Sequence, residues 1–464
     1  MMRDLVRTSL QAAFLLASLC SLAFSSSAAF CETLSDALAV AYSKNPDLNA
    51  QRAATRAADE NLPGALAGYR PTVSGEADTG FQQFNTPQLF GPSRTATRPG
   101  GGTLTISETL FNGSRTFNSV KQANSKILQS REDLNATEVT VLKNAVTAYM
   151  NVIRDTAILK LRRDNVQVLE QQLNQTRTRF RIGEITLTDI YQAETSLAQG
   201  RIDASTAYSN LQASTAGYQQ VIGDVPKQLE PARPVENLLP HTLDEGVALG
   251  ESENPTILSA LRAVDVAALA VKLARGQLYP TLGVSGSATK RYDYNNVVGQ
   301  PLLEASVVGQ LNIPIYDGGS VYAQTRQAEE LLGQAQLQAD SQRNQTRAAI
   351  ISAWTDWQST TTQIVEARNE VSAAEGALNG VREEAKLGER TTLDILNAQQ
   401  SLLNARVQLI EAQYVRVLGS YVVLSAIGTL SAKTLGLPVA RYDPTVHFNE
   451  VKDKWIGLRT PDSR

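Results

Sequence analysis

The residues that could carry chemistry are few and scattered along the chain. His241 and His447 each lie in a proline-containing segment, and neither has a partner at the spacing of a metal site. Ser287 and Lys290 fit a Ser-x-x-Lys pattern, but they lie in a predicted strand and no companion motif accompanies them. No phosphate loop, pair of catalytic carboxylates or Ser/His/Asp set is recognisable. We therefore expect no enzyme, no cofactor and no bound metal.

Two aspartates occupy corresponding places beside glycine turns. Asp189 follows Gly183 and Asp394 follows Gly388, and in each case a new helical segment begins at the aspartate. An aspartate at this place can cap the helix by accepting a hydrogen bond from its first turn. Arg390, close before Asp394, can be a solvated charge, since a surface ion pair contributes only about 0–1 kcal/mol. From the residues alone, these ordinary roles stay open beside any functional one.

The elements that carry these aspartates occur twice along the chain. Residues 33–36 return at residues 242–245, an offset of 209 positions, and from residue 111 to residue 223 the offset is 205 without a gap. Each copy reads helix, strand, loop, strand, long helix, turn, helix. We therefore divide the chain into a first repeat (33–227), a proline-rich linker (228–241), a second repeat (242–430) and a C-terminal tail (431–464).

Long helices dominate both repeats. From Ser114 to Arg181 the chain has neither proline nor glycine, which predicts one helix roughly 100 Å long at about 1.5 Å per residue. Apolar residues recur every seven positions in it, which is typical of a coiled coil. The returning helix is about half as long. A shorter helix that begins near Asn45-Pro46 can stack end to end with it and complete the length.

Between the helices, each repeat has two segments in which apolar and polar residues alternate. One such segment covers residues 72–81 and another follows Pro280, while the returning segments extend their apolar face to Leu110 and Ile315. A period of two predicts strands with one apolar and one polar face. Their length of about ten residues suits a tilted strand that crosses a membrane. Aromatic residues near their ends fit an interfacial girdle or ordinary sheet-edge packing.

Four strands are too few to close a membrane sheet. Exposed strand edges do not occur in lipid, and a small barrel needs about eight strands. The predicted fold class is therefore α+β, internally duplicated, with long coiled-coil helices and four β-strands per chain that join strands of other copies. Eight strands in a dimer or twelve in a trimer would satisfy this requirement.

Composition and the N-terminal segment restrict the cellular setting. The chain of 464 residues has a net charge of −3, so no basic excess is present for a nucleic acid partner. Arg3 and Arg7 precede an apolar stretch and a run of small residues, which predicts a secretory signal peptide at residues 1–29. Cys31 would then be the one cysteine left, and no internal disulfide could form. No later stretch reaches the roughly 18 apolar residues of a membrane helix, so any crossing would use strands.

The paired glycine turns resemble those of the TolC-like outer-membrane efflux and secretion channels. The first turn reads Arg-Ile-Gly-Glu-Ile-Thr at residues 181–186, and the second reads Lys-Leu-Gly-Glu-Arg-Thr at residues 386–391. The likeness covers residue 33 to about residue 430, and the ordered pair of repeats is its specific part. This resemblance implies a homotrimer, with a twelve-stranded transmembrane β-barrel in the outer membrane lipid and an α-helical barrel of twelve helices that extends into the periplasm.

The same resemblance implies a function in export. Such channels provide the exit duct for type I protein secretion, multidrug efflux or both. They dock to an inner-membrane transporter, of ABC or proton-driven type, through a periplasmic adaptor. The helix tips would close like an iris by coiling inward and open by untwisting.

Site residues also follow from the resemblance, position by position. Polar links between the repeats would hold the closed tip through Thr188, Asp189 and Arg390, while Ala385 stands where the family has a tyrosine of this lock. The positions of the family's two acidic rings are Asp394 and Asn397, of which one alone is acidic here. Three copies of Asp394 would still form a carboxylate ring that favours cations.

A second hypothesis is a periplasmic coiled-coil adaptor or scaffold that never spans lipid. It explains the helices and the export signal equally well. It does not explain four alternating strands at the same places in two repeats. Membrane extraction discriminates between the two, because a channel would need detergent and a scaffold would not.

Overall fold

The computed structural model describes residues 31–88, 91–293 and 300–461. The predicted signal peptide, residues 1–29, lies outside these ranges. Helices of the first repeat are α1 (Leu34–Lys44), α2 (Pro46–Asp59), α3 (Asn61–Leu66), α4 (Arg115–Arg181) and α5 (Leu187–Ile222). Helices of the second repeat are α6 (Leu243–Glu253), α7 (Pro255–Gly276), α8 (Ser320–Lys386) and α9 (Thr392–Ile427), followed by α10 (Pro444–Val451) in the tail. The strands are β1 (Thr72–Thr79), β2 (Gln82–Gln88), β3 (Gly91–Thr97), β4 (Gly100–Asn112), β5 (Thr281–Tyr292) and β6 (Pro301–Asn312).

The two long helices are continuous, as their sequence predicts. Helices α4 and α8 have 67 residues each, and the antiparallel partners α5 and α9 have 36 each. Heptad residues of α4 such as Ile127, Leu134 and Leu173 are buried between the helices. No helix within the described ranges is both long and apolar enough to cross a membrane.

Short helices extend the returning helices end to end, also as predicted. Asn45 begins α2: its side-chain oxygen accepts hydrogen bonds from the backbone N–H groups of Asp47 and Leu48, at 3.0 and 3.2 Å. Its amide also donates to the carbonyl of Val221, at 2.8 Å, near the end of α5. Asn254 binds the carbonyl of Ala426 in the same way at 3.0 Å. One asparagine in each repeat therefore caps one helix and joins it to the last turn of another.

Four strands form one antiparallel sheet in the order β1-β4-β5-β6. Its register places like residues beside each other across the strands. One row joins Val73, Ile106, Gly286 and Val307, and the next row joins Ser74, Thr105, Ser287 and Ser306. The hydroxyl groups of Ser287 and Ser306 lie 3.0 Å apart. The sheet therefore has one apolar and one polar face, which confirms the alternation read from the sequence.

The strand prediction was wrong in three details. Strands β2 and β3 form a separate two-stranded hairpin where a loop was expected. Strand β6 ends at Asn312, because Pro314 has no N–H to donate, so Ile315 lies beyond the sheet. A β-bulge between Thr109 and Phe111 leaves Leu110 without a partner in the register.

The tail packs onto the first repeat. His447 on α10 and Asp59 at the end of α2 are both buried, and His447 Nδ1 lies 3.1 Å from Asp59 Oδ2. Burial raises the pKa of Asp59, although the hydrogen bond with His447 opposes this effect. The guanidinium of Arg131 lies over the ring of Phe448 on α10. His447 is thus a packing residue of the tail with a carboxylate partner.

Candidate functional site

The ends of the two helical hairpins carry all the predicted site residues. Helix α4 ends at a Schellman turn, in which Gly183 N–H binds the carbonyl of Phe180 and Glu184 N–H binds that of Arg179. The turn after α8 repeats this pattern at Gly388 and Glu389. Both glycines have a positive φ, +79° and +83°, which side chains disfavour. The chain then enters α5 or α9, so the two tips have the same backbone geometry.

Both aspartates belong to capping boxes, and neither is the N-cap residue. The N-caps are Thr186 and Thr391, and the aspartates occupy the third helical position. Asp189 accepts hydrogen bonds from the backbone N–H and the hydroxyl of Thr186, at 2.9 and 2.7 Å. Asp394 accepts the same pair from Thr391, at 2.9 and 2.8 Å. The simple capping role considered from the sequence is therefore corrected to that of a capping-box partner.

The hydrogen bonds keep both carboxylates ionised. Burial raises the pKa of Asp189, but hydrogen bonds from Thr186 and Thr392 outweigh it and hold the pKa below its ordinary value. The backbone N–H and hydroxyl of Thr391, aided by the charge of Arg390, hold the pKa of Asp394 below its ordinary value. Both groups stabilise the folded tip as carboxylates.

We expect acid to loosen both tips. Because both folded pKa values lie below the ordinary value of 3.8, the stabilisation is complete above that value and is lost as the pH falls through the folded pKa. Amide hydrogen-exchange protection at residues 182–191 and 387–396 should therefore be lower at pH 3 than at pH 5. Asp394→Asn should abolish this dependence in the second tip and leave the first unchanged. Equal loss of the dependence in both tips would contradict the assignment.

Arg390 has a local partner. Its Nε donates to Glu384 Oε2 at 2.7 Å, and both side chains are about half exposed. The expected contact of Arg390 with Thr188 or Asp189 is not among the hydrogen bonds between described residues of one chain. In the first tip, Arg179 pairs with Glu184 at 2.9 Å. Both tips thus have an ion pair between the end of the long helix and the turn that follows it.

The repeats meet at the tips through other residues. The side chain of Thr392, a residue of the second repeat, helps to hold the pKa of Asp189 below its ordinary value. Leu396 of α9, 5% exposed, packs in a buried cluster with four residues of the first repeat: Leu169, Leu173, Ala193 and Leu197. Sequence reasoning missed both contacts. Leu396 lies in the returning helix α9, outside the long helix in which the sequence shows heptads, and its partners are distant in the chain.

The remaining residues that the resemblance singles out differ in exposure. Thr188 and Asn397 are exposed, whereas Ala385 is buried in a second cluster that contains Leu378, Ile395 and Leu402. Asp394 and Asn397 lie three residues apart on α9 and therefore face the same side. The structure thus brings Asp394 and Asn397 onto one surface of α9.

A polar cleft of about 680 Å³ lies between the ends of α4 and α8. Its charged lining mixes both signs: Arg179, Glu184, Arg382, Glu383 and Lys386. No group of three or more potential metal ligands occurs in the part of the chain that the structure describes. Two ion pairs lie among these side chains, Arg179 with Glu184 and Lys386 with Glu383.

Comparisons with known proteins agree with this geometry. The sequence model of the family described as outer membrane efflux protein matches residues 37–224 and 249–428. The chain is 37% identical over 440 residues to the outer membrane efflux protein BepC of Brucella suis biovar 1 (strain 1330), covering 94% of each. It is 26% identical to the outer membrane protein TolC of Escherichia coli (strain K12), covering 84% of the chain and 81% of TolC.

A solved structure has the same fold. The Campylobacter jejuni CmeC outer membrane channel superposes with a TM-score of 0.78 at 17% identity, covering 90% of the chain and 89% of CmeC. The two matched segments of the family model correspond to the two sets of helices that end at the two tips.

Proposed function

Because the chain belongs to the outer membrane efflux protein family, we propose that three copies close one β-barrel in the outer membrane and one helical tunnel in the periplasm. The observation that carries this proposal is the sheet order. Among the described residues, β1 and β6 each pair with a single strand, so both edges of the sheet are open. Lipid does not tolerate open edges, and strands of other copies would cover them.

The strand directions support closure into a ring. With four antiparallel strands in a row, β6 runs opposite to β1, so β6 of one copy can pair antiparallel with β1 of the next. Three copies would then supply twelve strands. The polar face carries an ion pair between Asp78 and Arg291, at 3.1 Å, which lies across Gly101. This charged face would line the lumen, and the apolar face would contact lipid.

The tunnel would serve as the exit duct of an export assembly. We propose that it accepts substrates for multidrug efflux, type I protein secretion or both from an ABC or proton-driven inner-membrane transporter, through a periplasmic adaptor. The exposed polar cleft at the tip offers a surface for that adaptor. The chain is an outer-membrane protein by its family, so the alternative hypothesis of a periplasmic scaffold that avoids lipid is wrong. The family consists of channel proteins, in agreement with the expectation that the chain is not an enzyme.

An iris-like gate at the tips would control the duct. In this proposal Asp394 and Asn397 line the constriction, and Thr188, Asp189 and Arg390 hold the closed state. Inside one chain Arg390 pairs with Glu384, so its link to Thr188 or Asp189 would be formed with a neighbouring copy. The short turns support such a gate, because each tip is a capped hairpin that could tilt as one piece.

Conductance in a planar bilayer tests this function. We expect the purified protein to give small, cation-selective steps, because three Asp394 carboxylates would lie around a narrow opening. Asp394→Ala should lose most of the cation preference, whereas Asn397→Ala should keep it. Conducting channels with unchanged selectivity in Asp394→Ala would remove Asp394 from the constriction. The absence of conductance in protein that needs no detergent for extraction would contradict the channel itself.

A further inference from the structure

The two repeats have matching helix bounds. Helices α4 and α8 are related by 205 positions at both ends, and so are α5 and α9. A side chain in the first repeat therefore has a structural counterpart 205 positions later. If copies of the chain follow one another around a ring, a contact between the two repeats of one chain has a counterpart between neighbouring chains.

The contact inside the chain is a well-defined insertion. Leu396 of α9 is 5% exposed and completes the cluster formed by Leu169 and Leu173 of α4 with Ala193 and Leu197 of α5. A single apolar side chain of the second repeat thus seals the helix pair of the first repeat just above the tip.

The equivalent contact would join residues of the first repeat to a cluster of the second repeat. Tyr191 stands at the position equivalent to Leu396 and is 59% exposed. The receiving positions are Ala374, Leu378, Ala398 and Leu402, and they belong to one cluster of the second repeat. The members of that cluster within the described chain all come from the second repeat.

Where the two repeats differ at these positions, a smaller residue on one side is matched by a larger residue on the other. Three of the four receiving positions are identical in both repeats: Leu173 and Leu378, Ala193 and Ala398, Leu197 and Leu402. The fourth changes from Leu169 to the smaller Ala374, and the inserted residue changes from Leu396 to the larger Tyr191. Close packing favours such paired changes, because an added ring needs the volume that a shortened neighbour releases.

The neighbouring position extends the exposed surface. Leu187 lies one helical turn before Tyr191 and is 48% exposed. It occupies the place of Thr392, a buried residue whose side chain helps to hold the pKa of Asp189 low inside the chain. The open face of α5 therefore presents two large apolar residues where the internal face of α9 presents one polar and one apolar residue.

From these observations we propose that Tyr191 of one copy inserts beside Ala374 of the next copy, and that this contact seals the tip between protomers. The inference rests on the proposed ring of copies. The partner that binds Tyr191 is a second copy of this chain. Each copy offers Tyr191 on one side and the Ala374 notch on the other, which is a heterologous interface that closes around a ring.

Disulfide formation tests the contact in the full chain. Cys31 is exposed and is first replaced by serine. Oxidation of Tyr191→Cys with Ala374→Cys in outer-membrane vesicles should convert most of the protein into covalent dimers and trimers, because a disulfide forms only when the two Cα atoms lie within about 7 Å. Tyr191→Cys with Ala373→Cys is the matched control, since Ala373 lies at the same height on an exposed side of α8. It should stay monomeric under denaturing conditions.

Two further results separate failure of this contact from failure of the proposed function. Leu169→Cys with Leu396→Cys should link within one chain without an increase in mass. If the cysteines at positions 191 and 374 stay unlinked while the protein is a trimer on a native gel, the proposed contact is wrong and the proposed ring of copies is retained. If the protein is monomeric on the native gel, both are wrong.

A size exchange provides an independent test that avoids cysteines. Ala374→Leu fills the notch and should increase hydrogen exchange in the first two turns of α5 at least severalfold. Adding Tyr191→Leu to that variant recreates the pair found inside the chain and should restore the protection. Equal exchange in the single and the double variant would overturn the proposal.

Discussion

Replacement of Leu396 by aspartate is expected to open the tip of the tunnel. Leu396 is 5% exposed among four apolar residues of the other repeat, so the variant would bury a carboxylate without a partner. Truncation of a buried leucine alone costs about 2–5 kcal/mol. Since about 1.4 kcal/mol changes an equilibrium tenfold, the ratio of open to closed tips should rise more than about tenfold.

Single-channel conductance measures this effect. Leu396→Asp should spend most of its time in large-conductance states, whereas the wild type should show small steps. Leu396→Met is the matched control, because a volume-conserving apolar exchange costs less than about 1.5 kcal/mol. Identical conductance of Leu396→Asp and wild type would show that this cluster does not hold the tip closed.

Gly113→Ala is expected to disrupt the junction between the sheet and the helices. Gly113 lies between β4 and α4 with a φ of +66°, and a methyl group there would collide with the carbonyl oxygen of Gly276 and lie 2.8 Å from Tyr279 Cβ. The left-handed backbone costs about 1–2 kcal/mol for a residue with a side chain, and the collision adds to it. We expect a total loss of about 2–5 kcal/mol and little assembled protein.

Its repeat counterpart is a nearly ideal control. Gly318 has a φ of +72°, but a methyl group there would meet nothing within 4 Å. Gly318→Ala should therefore lose only the backbone contribution. Thermal denaturation and the yield of heat-resistant oligomer measure both variants. Equal denaturation temperatures for the two would contradict the steric argument.

Periodic features explain why much of the fold was predictable. The heptads of α4 and the alternation in β1 and β5 follow from residues close together in the chain. The offset of 205 follows from a comparison of the two halves of the sequence. The β2–β3 hairpin lacks such a period. It contains Pro87, Gly91 and Pro92, which are typical of loops. Its two strands are stabilised by pairing with each other, and such pairing is not evident from the sequence of either strand alone.

The candidate site was harder to predict for a related reason. Its position at the paired turns follows from local glycine and threonine chemistry, and the pattern Thr-x-x-Asp at Thr186 and Thr391 indicates the capping boxes. The partner of Arg390 was not predictable in the same way, since Glu384 and more distant acidic groups compete for it at similar energies. The burial of Leu396 depends on packing between two repeats. Contacts of that kind require the three-dimensional register of α9 against α4 and α5.

Native mass spectrometry of the detergent-extracted protein tests the central claim most directly. That claim is that one chain carries a third of a closed barrel, because its sheet has four strands and two open edges. The result that we predict is a complex of three mature chains that persists at low protein concentration. A stable single chain, or a complex of two, would contradict the twelve-stranded barrel and the tunnel that depends on it.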